Sequence, residues 1–311
     1  MGRTPSPVDI PRMDARISFE RPGVCGQEQP CLRRTRHRSA IETRSEPIFI
    51  DDADDPRIEP FRDVRERDLV GRAGFIAEGT VVLDQLLRAD RFRPTALLIL
   101  TNRLDGVRSR IAHLPSDVPV YVAERAAFDR IAGFPVNRGV LAHGTAMGSP
   151  MSAADILQRA GVMGAPVVVG VEIANHDNLG AIFRNAAAFG AAGILLDETC
   201  CHPLYRKALR VSVGTALTLP WCRGGSAEAI VDSCDAAGFR VLALSPSGRT
   251  PLGAIDPARR SALLLGAEGR GLPEALMRRA ETVRIEMRPE IDSLNVATAA
   301  AIVLHALYSA A

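Results

Sequence analysis

From residue 155 onward the chain alternates short apolar runs with longer stretches of helical period. Pro166-Val-Val-Val-Gly-Val-Glu-Ile173 is apolar almost throughout, as strands buried on both faces are. A polar loop follows, then an alanine-rich helix closed by Gly190 at its C-cap. Gly193–Asp197, Leu217–Trp221, Phe239–Leu244, 262–265 and 282–287 repeat the strand pattern. Between them the sequence predicts helices over 155–164, 203–213, Ser226–Ala237, 273–280 and 294–308. Strand alternating with helix predicts a parallel sheet wrapped by helices. Ahead of it stands a smaller α/β/α region. Its apolar positions 75, 76, 82, 83, 86 and 87 suit a helix over Phe75–Leu87 entered through the Gly79-Thr80 turn. Strands are predicted at Ala96–Leu100, Pro119–Val122 and Val140–His143, with helices over Arg103–His113 and Glu124–Ile131. The Gly, Ser and Pro content of Ala146–Ser152 reads as a linker. The expected fold class is therefore α/β, with domains at 45–147 and 153–311.

Residues 1–44 break the pattern. Prolines at 5, 7, 11, 22 and 30 interrupt any helix, so a disordered tail is expected. It is basic, with nine arginines against five acids, and Arg33-Arg-Thr-Arg-His-Arg38 is its densest cluster. A solvated tail is the favoured reading, a phosphate-binding arm the other.

Composition adds limits. The 311 residues have room for two domains, and 47% hydrophobic content supports real cores. The net charge of +2 gives no global pull toward nucleic acid. Lys207 is the one lysine; every other basic side chain apart from histidine is arginine, whose planar fork suits phosphate oxygens. Cys25, Cys31, Cys200, Cys201, Cys222 and Cys234 form no Cys-x-x-Cys, which predicts reduced thiols in a cytoplasmic protein and no zinc or other metal site. No apolar run approaches the ~20 residues of a membrane span.

The candidate chemistry stands at strand-to-helix turns. The first group is Asn178-Leu-Gly-Ala-Ile-Phe-Arg184. Asn178 and Arg184 are expected on one side of a helix that starts at Asn178. The second is Leu263-Leu-Leu-Gly-Ala-Glu-Gly-Arg-Gly-Leu-Pro273, where Gly266, Gly269 and Gly271 surround Glu268. Glycines there let backbone groups approach a ligand closely, although a plain glycine-rich turn reads equally well. Their order, Gly-x-x-Gly-x-Gly, is wrong for the dinucleotide fingerprint and counts against a nicotinamide-dependent oxidoreductase. The third is Ser293-Leu-Asn295, at the head of the last helix. The second and third are expected at the carboxyl ends of neighbouring strands, where open α/β sheets bind ligands. Taken singly, Asn178 and Ser293 read as helix caps, Arg184 as a surface arginine and His176 as a loop residue.

Together, Asn178-x-Gly-x-x-x-Arg184, Leu264-Leu-Gly-Ala-Glu-Gly-x-Gly-Leu272 and Ser293-Leu-Asn-Val-Ala297 resemble the three motifs of the SpoU/TrmH RNA ribose 2′-O-methyltransferases of the SPOUT group. The resemblance covers about residues 165–310. Residues 60–145 resemble, more weakly, a ribosomal-protein-L30-like substrate-binding domain. The resemblance implies a deep trefoil knot, a homodimer through the knotted domain and the last helix, S-adenosyl-L-methionine as methyl donor, and ribosomal or transfer RNA as substrate. It implies cofactor contacts at Gly266, Ile285 and Leu294, with Leu244, Ser245, Gly269, Gly271 and Met287 beside them. It implies that Arg184 acts on the ribose hydroxyl, that Ser293 and Asn295 position arginine, ribose or phosphate, and that Asn178 and Glu268 complete the catalytic set. Relatives often have proline after the strand Ile; here Glu286 and Arg288-Pro-Glu290 occupy that stretch. Transfer to a 2′-hydroxyl needs positioning and a path for a proton. Arginine is a poor base, so its role is either assisted proton transfer or phosphate binding and polarisation. A non-catalytic RNA-binding factor on the same fold is the rival from another class.

Overall fold

The computed structural model describes residues 46–62, 74–133 and 135–309, and all of them belong to one compact unit. The expectations for the tail at 1–44, Cys25 and Cys31 lie outside the described residues.

The first sheet contains β1 (Ile48–Ile50), β2 (Gly74–Glu78), β3 (Phe92–Leu100), β4 (Val120–Ala123) and β5 (Val140–Ala146), in the order β1-β4-β3-β5-β2. β1, β4 and β3 run parallel, and β5 is antiparallel to both β3 and β2. Its helices are α1 (Thr80–Arg88), α2 (Leu104–Ile111) and α3 (Arg125–Ala132). Helix α1 is entered through the Gly79-Thr80 turn as expected, but two of the apolar positions counted with it lie ahead of that turn. Phe75 and Ile76 belong to β2, both buried, and the helix begins only after Gly79, whose φ is 90°. A hydrophobic pair fits either period; the paired strand β5 decides it. β5 continues past the expected His143 to Ala146, and Met147 still donates its N–H to the Arg91 carbonyl (2.7 Å).

The second sheet is wholly parallel. Its strands are β6 (Val167–Gly170), β7 (Gly193–Leu196), β8 (Trp221–Arg223), β9 (Arg240–Leu244), β10 (Thr250–Pro251), β11 (Ser261–Leu265) and β12 (Glu281–Arg284), in the order β10-β12-β9-β11-β6-β7-β8. Around it lie α4 (Ala153–Met163), α5 (His176–Ala188), α6 (Arg206–Val211), α7 (Ala227–Ala236), α8 (Glu274–Arg279) and α9 (Val296–Ser309). The apolar runs are explained by burial on both faces. Val168, Ile194 and Leu263 enter one core, while Val167, Val169, Leu195 and Leu264 enter another behind the sheet. The strand expected over Leu217–Trp221 is instead a 3₁₀ turn at Thr215–Leu217 followed by β8, and β12 ends at Arg284 rather than 287.

One apolar core joins the two sheets: Phe75, Val82, Leu83 and Leu97 share it with Leu179, Phe183, Leu209 and Leu217. Glu78, only 5% exposed, ion-pairs Arg206 of α6 at 2.6 Å. The Arg91 guanidinium lies 5.4 Å from the centre of the Trp221 ring. Gly214 (φ 83°) has no room for a side chain against Gln85 of α1.

Candidate active site

Four loops carrying the predicted residues leave the same edge of the second sheet, after β12, β9, β11 and β6 in that spatial order. The loops after β11 and β12 are not neighbours, as the sequence suggested; β9 lies between them. Strand order is a tertiary property that no local pattern carries.

The loop after β6 is held from below. Glu172 takes a left-handed φ of 56°, and its N–H donates to Asp197 Oδ2 (3.0 Å). The other oxygen of buried Asp197 accepts from the Thr199 and Cys200 N–H groups. Asn175, not Asn178, is the N-cap of α5, accepting from the Asp177 N–H at 2.8 Å. His176 is therefore the first helical residue rather than a loop residue, and its ring lies 4.6 Å from that of Tyr205. Gly180 permits the close packing of α5 on α6: a Cβ there would stand 2.7 Å from the Ala208 carbonyl oxygen.

The spacing of the two motif residues separates them on α5. Six residues advance ~600° around a helix, which leaves their side chains ~120° apart. Asn178 is 6% exposed, whereas Arg184 is exposed and makes no hydrogen bond or ion pair among the described residues. They do not share a face.

Asn178 instead reaches the other loops. Its amide donates to Glu268 Oε1, and its Oδ1 accepts from Asn295 Nδ2 at 2.9 Å. Asn295 Nδ2 is also 3.2 Å from Glu268 Oε1. Asn295 Oδ1 meanwhile caps α9, accepting from the N–H groups of Ala297 (3.0 Å) and Thr298 (3.3 Å). One predicted residue from each motif thus meets in a single network. Ser293 is exposed and outside it, and it does not cap α9.

The glycine loop is tightly folded. Gly271 N–H donates to the Ala267 carbonyl (3.0 Å), and Gly269 (φ 85°) and Gly271 (φ 68°) both need left-handed backbone. A Cβ at Gly266 would lie 2.6 Å from the Gly271 carbonyl carbon and the Leu272 nitrogen, while added Cβ atoms at Gly269 and Gly271 would meet open space. On the adjoining loop, Ser245 N–H donates to the Val283 carbonyl (3.0 Å), and Gly248 packs on the Val283–Arg284 backbone. Leu244, Ser245, Ile285, Met287 and Leu294 are all partly exposed around these loops. Bare backbone, apolar side chains and a few hydroxyls make a surface suited to a small ligand with an apolar and a polar end.

Comparison with known proteins supplies the family. The SpoU rRNA Methylase family profile matches residues 165–305. Two proteins called uncharacterized tRNA/rRNA methyltransferases, from Mycobacterium bovis and Mycobacterium tuberculosis, are each 40% identical over 265 residues, covering 82% of this chain and 89% of theirs. The chain belongs to the SpoU methylase family. An S-adenosylmethionine-bound rRNA methyltransferase from Sinorhizobium meliloti superimposes on this SpoU-family chain with a TM-score of 0.70 at 25% identity, over 83% of this chain and 96% of that one. A protein described as an RNA 2′-O ribose methyltransferase shares the fold, with a TM-score of 0.68 at 21% identity over 85% and 99% of the two chains. The SpoU-family chain is an S-adenosylmethionine-dependent RNA methyltransferase. Among the described residues, no helix is long and apolar enough to cross a membrane.

Two supporting residues escaped sequence reasoning. Asp197 braces the loop after β6, and Asn185 ties α5 to the head of α9 through its amide and the Ala297 carbonyl (2.9 Å). An acid ending an apolar strand and an asparagine inside an alanine-rich helix were the available signals.

Proposed function

We propose that this chain methylates a ribose 2′-hydroxyl in structured RNA, with ribosomal RNA as the substrate. The observation that carries the reading is the Asn178–Glu268–Asn295 network, which locks one residue from each of three loops into one arrangement. Gly266 lets the loop fold back on its own Gly271–Leu272 backbone, and the bare backbone of Gly269 and Gly271, where an added Cβ would meet open space, fits the approach of S-adenosylmethionine. Gly266, Ile285 and Leu294 hold it, flanked by Leu244, Ser245, Gly269, Gly271 and Met287. Bound there, it would supply an electrophilic methyl group to the ribose oxygen and leave as S-adenosylhomocysteine, with the hydroxyl proton passing to solvent. Arg184 leaves its donors available to RNA, so it holds the ribose or its phosphate and polarises the hydroxyl. Ser293 adds a hydroxyl at the mouth, next to the cap made by Asn295.

The rest of the reading follows the same lines. The first sheet and its helices, residues 45–147, select the RNA, and residues 153–311 perform transfer through a knotted chain. The protein acts in the cytoplasm as a homodimer. Ile302 and Tyr308 of α9, exposed here, suit that contact.

The test is methyl transfer from labelled S-adenosylmethionine to RNA from a strain lacking the gene, with size fractions separated and nucleosides identified. We expect a 2′-O-methylnucleoside in ribosomal RNA. Label confined to transfer RNA would replace the substrate, label on a base would overturn the chemistry, and no label despite cofactor binding would favour a non-catalytic RNA-binding factor.

A further inference from the structure

Two Asn-Arg pairs, Asn102-Arg103 and Asn137-Arg138, stand side by side at one end of the first sheet. The first follows β3; the second precedes β5, the antiparallel neighbour of β3. The two loops are joined through their backbones, since Leu100 N–H donates to the Gly139 carbonyl at 2.9 Å. Gly139 (φ 65°) lies under Leu100 and the stem of Arg103: a Cβ there would be 2.5 Å from Leu100 Cδ1 and 3.0 Å from Arg103 Cγ. Gly79 (φ 90°) lies in the same way under Arg138, with the Arg138 Cδ 2.7 Å from the position of an added Cβ. Two glycines in left-handed backbone thus form the floor on which two arginines rest.

The loop before β5 is braced by other residues. Val136 donates its N–H to Asp129 Oδ1 (3.2 Å), and its carbonyl accepts from Arg125 (2.9 Å). Neither Asn137 nor Arg138 contributes to that bracing. Asn102, Arg103, Asn137 and Arg138 are exposed, and their side chains make no hydrogen bond or ion pair among the described residues. The backbone of both loops is fixed while the four polar side chains face solvent with their donors and acceptors uncommitted, which leaves them available to a polar, charged partner.

The surface leads to the methyl-transfer site through adjacent residues. Glu78, next to Gly79, pairs with Arg206 at the start of α6. Lys207 follows and pairs with Asp177 (2.7 Å), the residue before Asn178. We infer that the Asn102-Arg103 and Asn137-Arg138 loops hold an unpaired stretch of the substrate RNA beside the target nucleotide. Arg103 and Arg138 grip phosphates of that stretch, and Asn102 and Asn137 meet base edges, which only unstacked RNA presents freely. The inference rests on the proposed RNA methyl transfer and adds where the RNA lies.

The test uses the full chain with Arg103→Glu/Arg138→Glu, and Arg103→Lys/Arg138→Lys as the conservative counterpart. Affinity for ribosomal RNA from a strain lacking the gene, its salt dependence, the KM for that RNA and the Kd for S-adenosylmethionine are measured for each. For the glutamate variant we expect a KM for RNA raised ~10-fold or more and a salt slope shallower by ~1.4 or more, as loss of two phosphate contacts on a single strand requires. The lysine variant should recover most of the affinity, and cofactor binding should be unchanged in both. An unaltered KM and salt slope in the glutamate variant, with the native protein active, would overturn the inference while leaving the proposed function standing. A native protein that binds S-adenosylmethionine but methylates no RNA would instead sink the reading on which the inference rests. Equal losses in the glutamate and lysine variants would assign these arginines a structural role and also overturn it.

Discussion

At the edge of the seven-stranded sheet, Asn178, Glu268 and Asn295 hold one another in place. At the end of the five-stranded sheet, Asn102, Arg103, Asn137 and Arg138 bond to nothing among the described residues. Both regions use glycine in left-handed backbone to set a loop, at Gly269 and Gly271 in one and at Gly79 and Gly139 in the other. The difference is in what the side chains then do. A small cofactor must be held within tenths of an ångström of a reacting atom, so its site is fixed during folding. A long polyanion is held by many weak contacts, so side chains left free to adapt serve it better. Arg184 belongs with the second kind although it is carried by the helix of the first.

The largest expected effect tests that assignment. Arg184→Ala should lower methyl transfer by ~10²-fold or more, the scale of removing one stabilising donor, while S-adenosylmethionine still binds. Calorimetry beside a labelled-transfer assay reads both, and retained transfer would remove Arg184 from the chemistry. Gly266→Ala should do the reverse. The added Cβ would stand 2.6 Å from backbone, so cofactor affinity should drop ~10-fold or more and stability by ~1–3 kcal/mol. Unchanged cofactor titration in that variant would show that the cradle lies elsewhere.

Asn178→Ala removes the amide that bonds both Glu268 and Asn295, leaving only their own 3.2 Å contact, and should cost ~1–3 kcal/mol in denaturant unfolding, with a lower kcat. A variant as stable as the parent would mean the network does not lock the loops.

The joint between the regions has its own pH signature. His202 packs edge-on against Trp221 (5.5 Å), the ring under Arg91, and its Nδ1 accepts the Leu204 N–H (3.2 Å). Burial, and after it the charge of Arg223, lower its pKa from 6.5 to about 4. The unfolded chain therefore takes up this proton near pH 6.5, and the folded one only near 4. Stability from this group is complete above 6.5 and is lost as pH falls toward 4. We expect His202→Gln to reduce the loss between pH 7 and pH 5 by ~1–2 kcal/mol, measured by urea unfolding; identical pH profiles would contradict it. The smallest effect is expected for Asn185→Ala, which gives up one hydrogen bond to the Ala297 carbonyl, ~0.5–1.5 kcal/mol in the same assay.

Much of this was legible in the chain. The Val167–Gly170 and Ser261–Leu265 strands announce themselves because each feeds two cores, and residues from all three motifs do meet. What was hidden depends on contacts distant in sequence. β2 reads as helix until β5 pairs with it. The placement of β9 between β11 and β12 is set by packing. The outward turn of Arg184 follows from its spacing: six residues after buried Asn178 it stands ~120° away around α5, so one of the two faces the loops and the other solvent. β1 is three residues long and gives no period to read.

The most direct test of the proposed chemistry uses a synthetic RNA carrying the mapped target nucleotide, once as ribose and once as 2′-deoxyribose. We expect methyl transfer to the ribose form and none to the deoxy form, with the two bound alike to within ~2-fold, since one hydroxyl is a small part of an RNA interface. Transfer to the deoxy RNA would place the methyl group on a base and contradict ribose methylation.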